Sequence, residues 1–134
     1  MKLSQKTIFF TVIIVLVLGT ISTVIIRGSG PSTKLNYDAF ATCLKDKGAV
    51  FYGAFWCSHC QAQKKEFGTS AKLLPYVECS LPDGSGQTQI CKDQKINGYP
   101  TWRFQDGSEL TGEIPISALA DKTFCALPEA TPAK

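Results

Sequence analysis

Two residue types that build most metal sites are nearly missing from this chain: His59 is its one histidine and Met1 its one methionine. Zinc prefers four ligands, and with no second CxxC and no distant histidine no zinc site is expected. Copper(I), which soft thiolates select, would normally recruit a further histidine or methionine. A basic stripe interleaved with aromatics is missing too. The net charge is only +3 and the Lys and Arg residues are scattered, so no nucleic-acid partner is expected. The Lys64-Lys65 pair reads as the solvated face of a helix. No internal repeat is present, which excludes a solenoid. At 134 residues the chain has no room for a second core.

Charge is absent from Thr7 to Ile26, "TIFFTVIIVLVLGTISTVII". A helix of that length spans the hydrocarbon core of about 30 Å, so residues 7–26 read as a single transmembrane anchor. A cleaved secretory signal is the alternative, because Lys2 and Lys6 form a basic start. The apolar run exceeds the usual signal core, however, and no A-x-A-like cleavage site follows it. Lys2, Lys6 and the amino group before the span, against Arg27 and Lys34 after it, favour a cytoplasmic N-terminus of residues 1–6. Either reading exports the remainder. Residues 27–35 then read as a flexible linker, 36–127 as the domain and 128–134 as a polar tail. The expected location is the cell membrane, single-pass, with the domain in the periplasm or at the cell exterior.

Six cysteines is a high count for this length, and outside the cytosol an even set is most naturally a set of bridges. The remaining pattern alternates helix and strand. Asn36 is a candidate N-cap for a helix over 37–47 that buries Tyr37, Phe40 and Leu44 and closes at Gly48. "AVFYGAF" reads as a strand buried on both faces. The helix "HCQAQKKEFG", the strand "LPYVECS" and the short helix "TQICKDQKING" follow. "TWRFQ" and "ELTGE" form a hairpin joined by Asp106, Gly107 and Ser108. A last helix from Pro115 directs Ile116, Leu119, Ala120 and Phe124 to the core. The order αβαβαββα argues for a parallel pairing of the first two strands and an antiparallel closing hairpin.

Cys57 and Cys60 fall where the central strand ends and a helix begins, the edge at which open α/β sheets present reactive groups. Helix N-termini favour an anion, and the thiolate is the nucleophile. Cys60 lies about one turn deeper, close enough to attack a mixed disulfide and release a partner.

With "FWCSHC" as an active-site motif and "GYPT" as a proline loop, the domain resembles the thioredoxin superfamily. "YGAFWCSHCQ", "LPYVECS" and "YPTW" are most similar to the thioredoxin-like domain fused to bacterial homologues of vitamin K epoxide reductase. The resemblance implies an α/β thioredoxin-like fold, a central mixed sheet flanked by helices, here preceded by one transmembrane helix. It also implies that Cys57 and Cys60 are the redox disulfide of a protein disulfide oxidoreductase that needs no cofactor and no metal. His59 and Ser58 would set its potential. Trp56, Tyr99, a cis Pro100 and Thr101 would dock the substrate; Trp56, Phe55 and Tyr99 could simply be core, with Trp56, beside the reactive sulfur, the best of them as an exposed contact.

The four other cysteines allow three pairings. Related domains carry a pair in the region of Cys79 and Cys91, so the resemblance implies a bridge there, and with it one between Cys43 and Cys125. Cytosolic thioredoxins, which reduce, carry a buried Asp where this chain has Phe51, and oxidising relatives carry a histidine where it has His59. Disulfide donation to exported protein thiols is therefore expected. Reoxidation would fall to a quinone-linked membrane partner resembling vitamin K epoxide reductase. The alternatives are a disulfide reductase or isomerase, and a copper(I)-handling module.

Overall fold

In the computed structural model of the chain the described residues are Lys6, 8–17 and 35–129. Residues 8–17 are helical and exposed. Among the described residues no helix is long and apolar enough to cross a membrane. Thr7 and residues 18–26 of the expected span lie outside the described residues. So do residues 1–5, residues 27–34 of the linker and residues 130–134 of the tail.

Residues 35–129 carry α1 (Asp38–Asp46), β1 (Val50–Gly53), α2 (Ser58–Glu66), a 3-10 turn (Gly68–Leu73), β2 (Tyr76–Glu78), α3 (Gln89–Asp93), β3 (Thr101–Arg103), β4 (Glu109–Thr111) and α4 (Ile116–Thr123). The sheet order is β2-β1-β3-β4. β1 runs parallel to β2 and antiparallel to β3, and β3 pairs antiparallel with β4. The mixed sheet flanked by helices fits a thioredoxin-like fold.

Side chains of a strand point alternately to its two faces, and β1 distributes the core accordingly. Phe51 enters the larger cluster, with Phe40 and Leu44 of α1, Phe67, Trp102 of β3 and Leu119 of α4. Tyr52 enters a smaller one with Cys79, Cys91 and Ile96. The Phe51 and Trp102 rings stack at 4.7 Å with 12° between planes, and both are fully buried. Beyond the area they bury, such ring pairs contribute about 1 kcal/mol.

Local signals explain most element ends. Gly48, at φ +70°, closes α1, donating its N–H to the Lys45 carbonyl. Gly107, at φ +79°, turns the β3–β4 hairpin. Three expectations need correction. Tyr37, not Asn36, holds the N-cap position of α1; Asn36 Oδ1, one residue earlier, accepts the Asp38 N–H at 2.7 Å. The helix after Thr88 stops at Asp93, well before Gly98, because Lys95 turns left-handed at φ +55° and Ile96 is buried in the smaller cluster.

Phe124, expected in the core, is 90% exposed. It takes the left-handed conformation at the end of α4 (φ +59°), which turns its side chain out while Cys125 turns in to bridge Cys43.

Candidate active site

β1 ends at Gly53 and the chain turns through Ala54, Phe55 and Trp56 into α2, with Cys57 as its N-cap. The cap is a sulfur: Cys57 Sγ accepts the Cys60 N–H at 3.2 Å. That bond satisfies one of the donors that a helix start leaves open. Cys57 and Cys60 are free thiols, both buried, with their sulfurs 2.6 Å apart. A disulfide closes from there with little movement. Gly53 is required by close approach, since a Cβ there would lie 2.8 Å from Tyr76 Cε2 and 3.0 Å from Cys60 Sγ.

The two sulfurs differ in surroundings. Burial, together with its contact to Cys57, pushes the Cys60 thiol up to about 12. Cys57 sits shallower, beside exposed Phe55, Trp56, Ser58 and His59. His59 Nδ1 meets Glu113 Oε1 at 2.5 Å. Glu113 is held there by a buried polar device: Gln63, fully buried on α2, accepts the Ile114 N–H at 2.7 Å and donates to the Ile114 carbonyl at 3.0 Å. Burying an amide is tolerated when its hydrogen bonds are made, and here they pin the segment before α4 to α2.

The Tyr99–Pro100 peptide is cis, Pro100 is buried, and the Tyr99 ring meets Trp56 edge-on at 6.0 Å. The Tyr99 hydroxyl accepts from Gln87 Nε2 at 2.7 Å. Thr101, opposite Tyr52 in the sheet, donates from Oγ1 to the Gly98 carbonyl at 2.9 Å. Trp56 is 57% exposed, and its indole N–H donates to Ser80 Oγ at 2.8 Å. The structure thus brings Trp56 and Tyr99 to the dithiol, with Ser58 and His59 on its open side. Thr101 lies within the sheet and supports the loop from below.

The remaining cysteines are bridged, Cys43 to Cys125 and Cys79 to Cys91.

Glu78, Gln63, Glu113 and Ser80 are not singled out by the sequence. Glu78 ends β2, parallel to β1, so it emerges at the same sheet edge as the thiols. Its Oε1 accepts the Phe55 and Ser80 N–H groups, and its Oε2 accepts the Tyr76 hydroxyl. Topology is the signal that finds it. Lys64 corrects the reading as a solvated face: it is half-buried, its ammonium lies 3.3 Å from the centroid of the Tyr76 ring, and burial lowers its pKa.

A cis-proline loop whose Tyr99 meets Trp56 of a strand-to-helix turn with two free thiols fits a thioredoxin-like fold carrying a CxxC dithiol. No protein-family model matches the chain. It is 48% identical over 97 residues, 69% of this chain, to the thiol-disulfide oxidoreductase LTO1 of Arabidopsis thaliana, covering 25% of that protein. It is 31% identical over 87 residues, 59% of this chain, to protein disulfide-isomerase A2 of Mus musculus, covering 16% of it. Against a protein disulfide-isomerase of Aspergillus oryzae it is 31% identical over 80 residues, 54% of this chain and 15% of the relative. The chain spans a quarter or less of the length of these relatives. The similarity supports a place in the thioredoxin-like superfamily.

Proposed function

We propose that the chain is a membrane-anchored, extracytoplasmic protein disulfide oxidoreductase that donates disulfides to exported protein thiols through Cys57 and Cys60. The observation that carries the reading is the contrast among its cysteines. Four are locked in bridges, and two lie unbonded, with sulfurs 2.6 Å apart, at a helix N-terminus. Relatives named as a thiol-disulfide oxidoreductase and as protein disulfide-isomerases support the chemistry.

In the exchange, a substrate thiolate attacks Cys57 Sγ of the oxidised pair and Cys60 leaves. The second substrate thiolate then displaces Cys57, so the substrate is oxidised and the pair reduced. Trp56 and the Tyr99–Pro100 loop form the rim on which the substrate lies. The position of Phe51 supports the oxidising direction, because a fully buried ring stacked on Trp102 offers no proton acceptor beneath the thiols. The uncharged run 7–26 and the exposed apolar side chains of 8–17 support the anchor. Reoxidation is assigned to a quinone-linked membrane protein resembling vitamin K epoxide reductase.

Isomerisation is the second reading, favoured by the names of the animal and fungal relatives. The deciding measurement is the reduction potential of the full chain in glutathione buffers, read by mass-tagging of the Cys57 and Cys60 thiols. A value near about −120 mV supports donation, about −180 mV supports isomerisation, and about −270 mV overturns both in favour of a reductase.

A further inference from the structure

Disulfide exchange at this site, the reading on which this inference rests, requires the Cys60 sulfur to depart as a thiolate, and its surroundings oppose that. Cys60 is fully buried, and its thiol holds its proton to about 12. β1 offers no compensation, since Phe51 is apolar. A positive charge reaches the sulfur from another direction. Lys64 follows Cys60 by four residues on α2, the spacing that places two side chains on one helix face. Its Nζ lies 3.3 Å from the centroid of the Tyr76 ring. The edge of that same ring and Cys60 Sγ converge on Gly53, at 2.8 and 3.0 Å from where a Cβ would stand. The Tyr76 hydroxyl donates to Glu78 Oε2 at 2.7 Å, so an acceptor draws electron density toward the ring that carries the ammonium. Ammonium and buried sulfur thus both adjoin the Tyr76 ring, and the Lys64 charge favours the Cys60 thiolate.

We propose that Lys64, seated on Tyr76, is the charge partner of Cys60: a positioning residue whose ammonium stabilises the Cys60 thiolate whenever the Cys57–Cys60 bond breaks. When a substrate thiolate attacks Cys57 Sγ, a new bond forms between the two sulfurs. The Cys57–Cys60 bond breaks, and its electron pair stays on Cys60. The Cys60 thiolate then takes a proton from water, leaving hydroxide to the buffer. In the reverse direction Cys60 gives its proton to hydroxide and attacks the mixed disulfide. Lys64 neither gives nor takes a proton in either direction. The groups acting on it are Glu78 and Tyr76 of β2 and the two cysteines of its own helix. Burial lowers its pKa, while the charges of Glu78, Cys60 and Cys57 raise it again, so thiolate and ammonium support each other. A charge held on an aromatic face in a half-dry setting acts more strongly than one in water.

The test uses the full chain in detergent, oxidised, and follows its reduction by glutathione through tryptophan fluorescence between about pH 6 and 9. Stabilisation of the departing thiolate by about two pKa units, of which about half is felt in the transition state, corresponds to about tenfold in rate. Lys64→Met, which keeps the packed stem, should slow reduction about tenfold. The equilibrium midpoint in glutathione buffers should stay within about twofold, because Cys60 is a neutral thiol in the reduced chain at these pH values. Lys64→Arg should restore the rate to within about threefold. A merely structural role would move the midpoint and the melting temperature instead of the rate. The proposal is overturned if Lys64→Met reacts at the wild-type rate, or if Lys64→Arg is as slow as Lys64→Met. Failure of the exchange reading looks different: the wild-type Cys57–Cys60 bond would not be reduced by glutathione at all.

Discussion

Cys57–Cys60 and Cys79–Cys91 are both buried cysteine pairs close in sequence, and both sit at the same end of the sheet, yet one is a pair of thiols and the other a bridge. Burial does not separate them. Their neighbours do. Cys79 and Cys91 pack with Tyr52 and Ile96, flanked by Val50, Val77 and Tyr99, so the bridge lies in an apolar setting. Cys57 and Cys60 also border an apolar cluster, but they have in addition the Cys60 N–H, the charge of Lys64 and, at the rim, the His59–Glu113 pair. Reactivity follows from placing charge and open donors beside a sulfur, and a cysteine pair without them serves as a staple. The two pairs are nonetheless joined, because Ser80, next to Cys79, accepts the hydrogen bond of Trp56, next to Cys57.

The strongest way to break the comparison is to remove each staple in turn. Cys43–Cys125 spans 82 residues of sequence and Cys79–Cys91 only 12. In the chain-entropy account, losing them costs about 4.5 and about 3 kcal/mol respectively. Urea denaturation of the Cys43→Ala/Cys125→Ala and Cys79→Ala/Cys91→Ala chains should show that order. Activity should rank the other way. The first pair anchors the ends of α1 and α4, whereas the second holds the loop under Trp56. Thiol oxidation of an unfolded substrate at saturating enzyme stability should therefore fall several-fold only for the second. Equal losses of activity would show that the two bridges serve the site alike.

A smaller effect sharpens the contrast within the reactive pair. The Cys60 thiol moves from an ordinary 9.0 to about 12, so the folded reduced chain keeps a proton that the unfolded chain releases. Stability then falls as pH rises wherever the folded state binds more protons, from about pH 9 up to about 12. The oxidised chain has no such thiol. The melting temperature of the reduced chain should fall away from that of the oxidised chain above about pH 9, and the gap should be constant below about pH 8. A gap that does not widen would place Cys60 in a wetter environment than its zero exposure implies.

How far the sequence could foresee this arrangement depends on the range of each interaction. Element order, the hairpin turn at Gly107 and the strand-to-helix placement of the thiols are written locally, in apolar periodicity and glycine. The reach of Lys64 is not. Beside Lys65 it looks solvated, and only the parallel pairing of β1 with β2 brings the Tyr76 ring beneath it. Glu113 reaches His59 across 54 residues, through the bonds Gln63 makes to Ile114. Phe124 was misread for the same reason: helical periodicity carried it to the core, but a bridge to Cys43, far away in sequence, reverses the chain there. Long-range contacts made by polar residues leave no periodic trace, so they are what sequence reading loses.

The link between the two cysteine pairs supplies the finest test. Ser80 is buried, its N–H is held by Glu78 Oε1 at 2.9 Å and its hydroxyl donates to the Leu81 carbonyl at 3.0 Å, so its oxygen is fixed to receive the Trp56 N–H. Ser80→Ala deletes that acceptor and leaves backbone and bridge in place. One hydrogen bond of this kind contributes about 1 kcal/mol. Trp56 is more than half exposed, so its freed N–H finds water and the fold should lose no more than that. What changes is orientation. A ring held by Ser80 on one side and by the Tyr99 edge on the other offers a fixed face to the substrate, whereas a ring held by Tyr99 alone must be ordered on binding. The Michaelis constant for a peptide dithiol should rise about threefold, with kcat and the reduction potential unchanged. A shift of potential in Ser80→Ala would mean that the staple side of the molecule acts on the sulfurs themselves and not only on the surface where substrates land.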